Sequence, residues 1–528
     1  MTTTMKRSHR IATAAAAVLL VAGLGLPGCA AATSSSSSGS STSTATATSS
    51  SSSKLTSKAA GMTQIYSGKD LLDVSQMDFE YSKKDQDASY DASAATTITL
   101  SGSSATSSSS AGVKIDGSTV TITAEGTYVF SGTLTDGQIV VEATDADKVQ
   151  LVLNGVTITN NDGPAIYVKQ ADKVFITLAA NSKNVLEDGN TYTLEAGEDE
   201  PDAVIFSKDD LAINGSGSLS ITANYSNAIK SKDDLIITGG TFDITAKDDC
   251  LKGKDCVKIL DGTFTLNAGD DAITASKEQD PVKGFVLIDG GTFTIKADDD
   301  AINAINLIAI TGGTFDITCG DDAVKSDIEA YICGGNLKIN AGGDAIHGEF
   351  GLTIDDGTIN ISTCTEALEG EVVRMNGGDV TLYATDDGVN ASVGELYTEE
   401  DSSSSSSSGS QQGFGGMNQP EVSANCLIEI NGGKLDITMA QGDTDALDSN
   451  GYLKINGGTV TISAQFAFDY ELGAELNGGT VTVNGQQVTQ ITESMMGGGG
   501  MGGQQPGGMQ GGQQPGGGMG GPQGGMRP

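Results

Sequence analysis

From Val113 to Ile491 the chain is built of short runs in which apolar and polar residues alternate, such as Thr241-Phe242-Asp243-Ile244-Thr245 and Thr263-Phe264-Thr265-Leu266. A period of two, rich in Thr, Ile, Val and Phe and bounded by Gly-Gly or Asn-Gly, predicts strands with one buried face. The runs recur. Ala228, Cys250 and Ala272 are evenly spaced, and Ala301, Ala323, Ala345 and Ala367 keep the same step. Only the step from Ala272 to Ala301 is longer, and its surplus contains Lys277-Glu278-Gln279-Asp280-Pro281, which reads as a loop. Fixed self-similarity of this kind signals a repeat architecture. Helical repeats are excluded by the strand-like content, and the Leu/Asn spacing of leucine-rich repeats is missing. The predicted fold is all-β: a right-handed single-stranded parallel β-helix with about 22-residue coils, stacked about 4.8 Å apart. Ile244, Leu266, Ile295, Ile317, Ile339 and Ile361 would form one interior column, and Leu251, Ile273, Ile302, Val324, Ile346 and Leu368 another.

The flanks have other compositions. Lys6, Arg7 and Arg10 precede an apolar run from Ile11 to Leu26, the pattern of a secretion signal rather than a membrane span. Leu26-Pro27-Gly28-Cys29 resembles the bacterial lipoprotein processing box, which implies lipidation of Cys29; the alternative is an ordinary signal peptide. The expected organisation is a lipoprotein signal peptide at 1–28, a Ser/Thr-rich tether at 29–61 and an N-terminal cap region at 62–112. The β-helix follows at 113–491, with a disordered insertion at 401–420, and a Gly/Gln/Met/Pro-rich disordered tail occupies 492–528. A lipid followed by a tether predicts an extracellular, membrane-anchored monomer. Six cysteines follow Cys29, none at zinc spacing with a histidine; they read as small buried hydrophobes, although secretion also permits a disulfide.

Charge adds the chemistry. The formal net charge is −39, and much of it sits in the repeats as Asp pairs in one register. Stacked coils would align Asp248, Asp270, Asp299 and Asp321 in one file, and Asp249, Asp271, Asp300, Asp322 and Asp344 in a second. Two like charges about 4.8 Å apart repel by about 1 kcal/mol in bulk water and about 3–4 kcal/mol at an effective dielectric near 20. Over several rungs this rivals a domain's net stability of about 5–15 kcal/mol. Protonation, neighbouring lysines or bound cations can offset it. Calcium suits the pattern, because it takes about six to eight oxygens and carboxylates of adjacent coils can share one ion. A solvated acidic edge of turns is the alternative. One residue past the aliphatic position runs an outward file that includes Lys252, Asn303, Lys325, His347 and Asn390. These side chains can hydrogen-bond the hydroxyls or carboxylates of an extended polymer, or form an ordinary polar exterior. The acidic charge argues against nucleic-acid binding.

Gly126-Thr127-Tyr128-Val129-Phe130-Ser131-Gly132-Thr133-Leu134, Leu151-Val152-Leu153-Asn154-Gly155-Val156, Gly163-Pro164-Ala165-Ile166-Tyr167-Val168 and the downstream Asp-Asp-Ala-Ile coils resemble a known bacterial family. It is that of carbohydrate-binding domain-containing parallel β-helix proteins, which are similar in shape to pectate lyases. The resemblance spans about residues 60–490 and implies a β-helix that binds calcium and plant cell-wall polysaccharide, including acidic sugars. Three functions follow as expectations. The first is a calcium-dependent, surface-anchored polysaccharide binder without catalysis. The second is a pectate-lyase-like enzyme acting by calcium-assisted β-elimination, with Lys252 or Lys325 as base; Arg374 is the one arginine between the signal and the tail. The third is a structural or adhesive surface rod. Tryptophan is absent, so a flat stacking platform for cellulose is not apparent in the sequence.

Overall fold

The computed structural model describes residues 55–56, 59, 72–194, 196–395, 422–442 and 444–493. The expected signal peptide, Cys29, most of the tether, the insertion at 401–420 and the tail beyond 493 lie outside them. The described chain is all-β with almost no helix, arranged as a solenoid of parallel strands. Most repeats give three strands. In one repeat these are Leu251–Gly253, Cys256–Ile259 and Thr263–Ala268. In others the second and third run on as one, as in Glu329–Asn340 and Gly351–Thr363. The short first strands join into a fourteen-stranded sheet, and the second and third strands form the other walls. Pairing is parallel and in step. Thr241 opposes Thr263, its counterpart in the next repeat, and Thr263 opposes Thr292 across the expected loop.

The interior follows from alternation. Ile244, Leu266, Ile295, Ile317, Ile339 and Ile361 pair in sequence and are all buried. Beside them Phe242, Phe264, Phe293 and Phe315 stack with ring centroids 4.6–4.9 Å apart and planes within 3°. The glycine two residues before each ring makes room. At Gly313 the backbone has φ of 102°, and a Cβ would lie 2.9 Å from the Phe315 ring. Only glycine takes that conformation without strain. The six cysteines after Cys29 are thiols rather than disulfides, and five of them are buried, as small core residues would be.

Antiparallel hairpins finish the solenoid. Thr96–Gly102 with Ser104–Ser107, and Val113–Asp116 with Thr119–Ile122, cover the first edges. Thr480–Val483 with Gln486–Val488 covers the last edge of the third-strand wall. Edges closed in this way are poor templates for another chain. Residues 72–86 do something the sequence pattern did not predict. They run along the flank, not over the end, and cover an outward apolar stripe of the second-strand wall that includes Phe175, Ala212, Ile236 and Leu287. Polar contacts fix this strap. Tyr81 Oη donates to Asp289 Oδ2 at 2.9 Å, and Lys173 Nζ meets Asp85 Oδ1 at 2.9 Å. The buried Lys258 donates to the backbone oxygens of Asp78 and Glu80 at 2.9 and 3.1 Å.

The ring stack predicts a position-specific cost. Phe293→Ala is expected to destabilise the solenoid by about 3–5 kcal/mol, whereas Thr294→Ala, one residue away and exposed, stays within about 0.5 kcal/mol. Denaturant unfolding followed by circular dichroism checks this; equal losses at the two positions would contradict the packing.

Candidate functional site

Each repeat turns from its third strand into the next short strand through the acidic step. The second acid of the step lies in the wall. Asp249, Asp271, Asp300 and Asp322 are buried, and each spends one oxygen on the backbone of the next rung. The amide of Asp271 donates to Asp249 Oδ1 at 3.2 Å, that of Asp300 to Asp271 Oδ1 at 3.2 Å, and that of Asp322 to Asp300 Oδ1 at 2.9 Å. The ladder goes on with Asp344 N to Asp322 Oδ1 at 2.6 Å and Glu366 N to Asp344 Oδ1 at 3.0 Å. These bonds satisfy buried amides that would otherwise carry a desolvation cost. The inner file is therefore structural as well as acidic. The outer file of Asp248, Asp270 and Asp299 lies at the turn surface.

The second oxygens of the inner file face the outward residues on the fourteen-stranded sheet. Lys252, Thr274, Asn303, Lys325, His347, Glu369 and Asn390 pair rung by rung as one vertical file. The five side chains expected to meet ligand are each engaged with an acid. Lys252 pairs with Asp249, and Asn303 donates to Asp271 Oδ2 at 3.0 Å and Asp300 Oδ2 at 3.1 Å. Lys325 sits 3.6 Å from both Asp300 and Asp322. His347 lies between Asp322 at 3.8 Å and Glu349 at 3.2 Å, and Asn390 donates to Glu366 Oε2 at 2.8 Å.

Charge is unevenly compensated along this file. Burial, then the charges of Asp249 and Asp300, push the Asp271 carboxyl up to about 8. Burial and the neighbouring Asp249, Asp248 and Asp299 push Asp270 up to about 6. Burial raises Asp300 to about 6 despite Lys325. Burial also raises Asp344 and Glu366, each to about 8, with Glu369 adding to both. Asp322 departs from this. Burial would raise it, but the nearby His347, the Asp344 amide and Lys325 hold it below the ordinary range. His347 is itself pushed up to about 11: burial acts to lower it, and the acids around it, Asp322, Glu349 and Glu369, outweigh that. Lys252 and Lys325 are raised in the same way, burial being overcome by the acids beside them. All three are cations at neutral pH, and Arg374 lies on another wall, 2.7 Å from Glu429.

Carboxylate oxygens of neighbouring rungs converge. The sets Asp248/Asp249/Asp270, Asp270/Asp271/Asp299 and Asp299/Asp300/Asp321 each lie within 4.8 Å, as do Asp344/Glu366/Glu369 and Asp322/Asp344/His347. The first three share a design: both acids of one rung and the outer acid of the next. All-oxygen sets fit a hard cation such as calcium. The set containing His347 fits poorly, because an imidazolium has no lone pair to give. Asp270/Asp271/Asp299 is the best match, since its neighbours Thr274 and Asn303 bring no positive charge. Glu366 and Glu369 were not picked out as ligands from the sequence. Their signal was the register itself, with Glu366 standing where Asp344 stands one repeat earlier.

The charge balance sets a pH response. An acid with a higher pKa in the folded than in the unfolded chain contributes stability that is present at low pH and lost as pH rises through the folded value. Asp271, Asp344 and Glu366, each raised to about 8, outnumber the lowered Asp322. In chelator the melting temperature should therefore fall from about pH 5 to about pH 8, and millimolar calcium should remove most of that fall. A flat profile in chelator would contradict it. Asp270→Asn with Asp299→Asn should weaken calcium uptake in titration calorimetry at least about tenfold with little loss of fold, while Asp271→Ala should lower thermal stability by about 1–3 kcal/mol.

A family model described as "Carbohydrate-binding domain-containing protein" matches residues 116–330 and 320–467. A relative of the same description from Acetivibrio thermocellus is 44% identical over 136 residues, 26% of this chain and 48% of the relative. The chain thus spans about half the length of that curated relative. A solved structure, "Structure of the polysaccharide lyase-like protein from C. thermocellum, Gadolinium derivative", is similar at 37% identity. The match covers 46% of this chain and 99% of that one, with a TM-score of 0.45. The family match takes in well over half of the residues, and the protein belongs to the carbohydrate-binding domain-containing family.

Proposed function

We propose that this chain is a calcium-dependent polysaccharide binder without catalysis, built on a right-handed single-stranded parallel β-helix of about 22-residue coils. The observation that carries the proposal is the Asp270/Asp271/Asp299 set, three carboxylates of adjacent rungs within 4.8 Å beside uncharged Thr274 and Asn303. Calcium there neutralises the file and presents remaining coordination positions outward. A uronate carboxylate can fill them, so an acidic protein can hold an acidic polymer through the ion. The outward file supplies contacts on either side. Asn303 donates to Asp271, and a cation there frees its amide for sugar hydroxyls, while Lys252 and Lys325 stay paired with Asp249, Asp300 and Asp322 on either side. His347 and Asn390 extend the same line.

Lipidation of Cys29 and the tether at 29–61 would hold the rod outside the cell as a membrane-anchored monomer. A pectate-lyase-like reaction is the second reading. It needs a neutral base, and Lys252 and Lys325 are both held as ammonium by the acids beside them. The binding reading is therefore preferred. A structural or adhesive rod lacks a specific observation in its favour.

The test is a pull-down on polygalacturonate. The full chain should be retained with calcium and released by chelator, and Asp270→Asn with Asp299→Asn should abolish retention. Retention that ignores chelator would overturn the calcium role. A sustained rise in ultraviolet absorbance of polygalacturonate with calcium, lost on Lys252→Ala or Lys325→Ala, would replace binding by lyase activity.

A further inference from the structure

Upstream of the acids the outward file changes character. Val140, Tyr167 and Phe206 occupy successive rungs before Lys230. Above them stands a segment with no counterpart in the other repeats, joining the strands Lys183–Asp188 and Ala203–Ser207. It is held from several sides. Tyr192 Oη donates to Asp188 Oδ2 at 2.8 Å, and the Tyr192 ring stacks on Tyr225 at 4.2 Å. Lys230 bridges Glu200 at 3.2 Å and Asp202 at 2.8 Å, and Lys232 also pairs with Glu200. Its described residues are thereby tied to the solenoid, and between them and the sheet lies a groove of about 610 Å³ lined by Thr193, Leu194, Glu198 and Pro201 on that side.

The lining is mixed. Tyr167 is half-buried, with Phe206 edge-on at 5.8 Å; the ammonium of the exposed Lys169 lies 5.3 Å over its ring, where a sugar packing on the ring would displace it. Gln138 and Lys208 supply donors, and Glu142, Asp162 and Glu198 supply acceptors. An aromatic face flanked by both kinds of hydrogen-bonding group suits a pyranose, whose C–H face packs on a ring while its hydroxyls both donate and accept. The carboxylates there, in a chain of net charge −39, disfavour an anionic sugar. Among the described residues, none of the acid sets that converge for a cation includes a groove residue. The groove also lies within the family match of 116–330.

We propose that this groove is a second glycan site, which takes an uncharged pyranose segment without calcium and uses Tyr167 as its platform. It rests on the reading of the chain as a polysaccharide binder, but on other residues and another sugar chemistry. Site and acidic file share one outward line on consecutive rungs, so a polymer lying along the rod would meet both.

The experiment is titration of the full chain, in chelator, with neutral cello-, xylo- and manno-oligosaccharides. At least one should bind, Tyr167→Ala should weaken that binding about tenfold or more, and Tyr167→Phe should preserve it. Asp270→Asn with Asp299→Asn should leave it unchanged. No neutral binding, or binding that survives Tyr167→Ala in a variant of unchanged melting temperature, would overturn the proposal. A chain that holds polygalacturonate with calcium but no neutral sugar would refute the groove and leave the acidic site standing. One that binds neutral sugars but not polygalacturonate would do the reverse.

Discussion

Like charges are stacked here at the spacing of β-strands, and the backbone ladder allows them no escape. Parallel pairing fixes Asp249, Asp271, Asp300 and Asp322 above one another, and each inner carboxylate is tied to the next rung's amide. The file cannot splay without giving up those hydrogen bonds. At such spacing each adjacent pair of charges is unfavourable by about 1–4 kcal/mol, depending on local screening. The chain offsets part of this with Lys252, Lys325 and His347. Between Lys252 and Lys325 it does not, and there the carboxyl of Asp271 is pushed up to about 8. Of the positions along the file, this is where the proposed cation would relieve the most repulsion.

The same vertical register serves the core and the surface. Inside, it stacks phenylalanines and aligns isoleucines; outside, it draws the turn acids into converging sets and the outward residues into a line. A solenoid presents such lines along its length, which matches the geometry of an extended polymer. The strap of residues 72–86 fits this arrangement. It covers the apolar stripe on the second-strand wall, and the acidic file lies in the turns that lead into the fourteen-stranded sheet. Two walls thus have different tasks, one clasped by the chain's own N-terminal segment and one carrying the candidate sites.

Much of this was legible in the sequence because each repeat is short and its marks recur in step. The spacing of Ala228, Cys250 and Ala272 gave the rung, and alternation around Phe264 and Leu266 gave the buried face. The same register placed the acids on one side. What the pattern could not give was the split between inner and outer acids. That depends on which carboxylate meets a backbone amide of the next rung. Nor did it show that Lys252, Asn303 and Lys325 would be occupied by those acids. The strap was missed because residues 72–86 do not repeat, although a hint existed. Phe285-Val286-Leu287-Ile288 is apolar at every position, as a strand buried on both faces would be. The Tyr167 groove was missed for a similar reason, since its wall is a unique insertion whose partners, Lys230 and Lys232, become neighbours only in the fold.

The central claim is that a cation occupies the uncompensated acids. Anomalous diffraction from crystals of the full chain grown with calcium tests it most directly. The account predicts a peak among the oxygens of Asp270, Asp271 and Asp299, with no ion against His347. Crystals that hold no cation anywhere along the file at saturating calcium would contradict it.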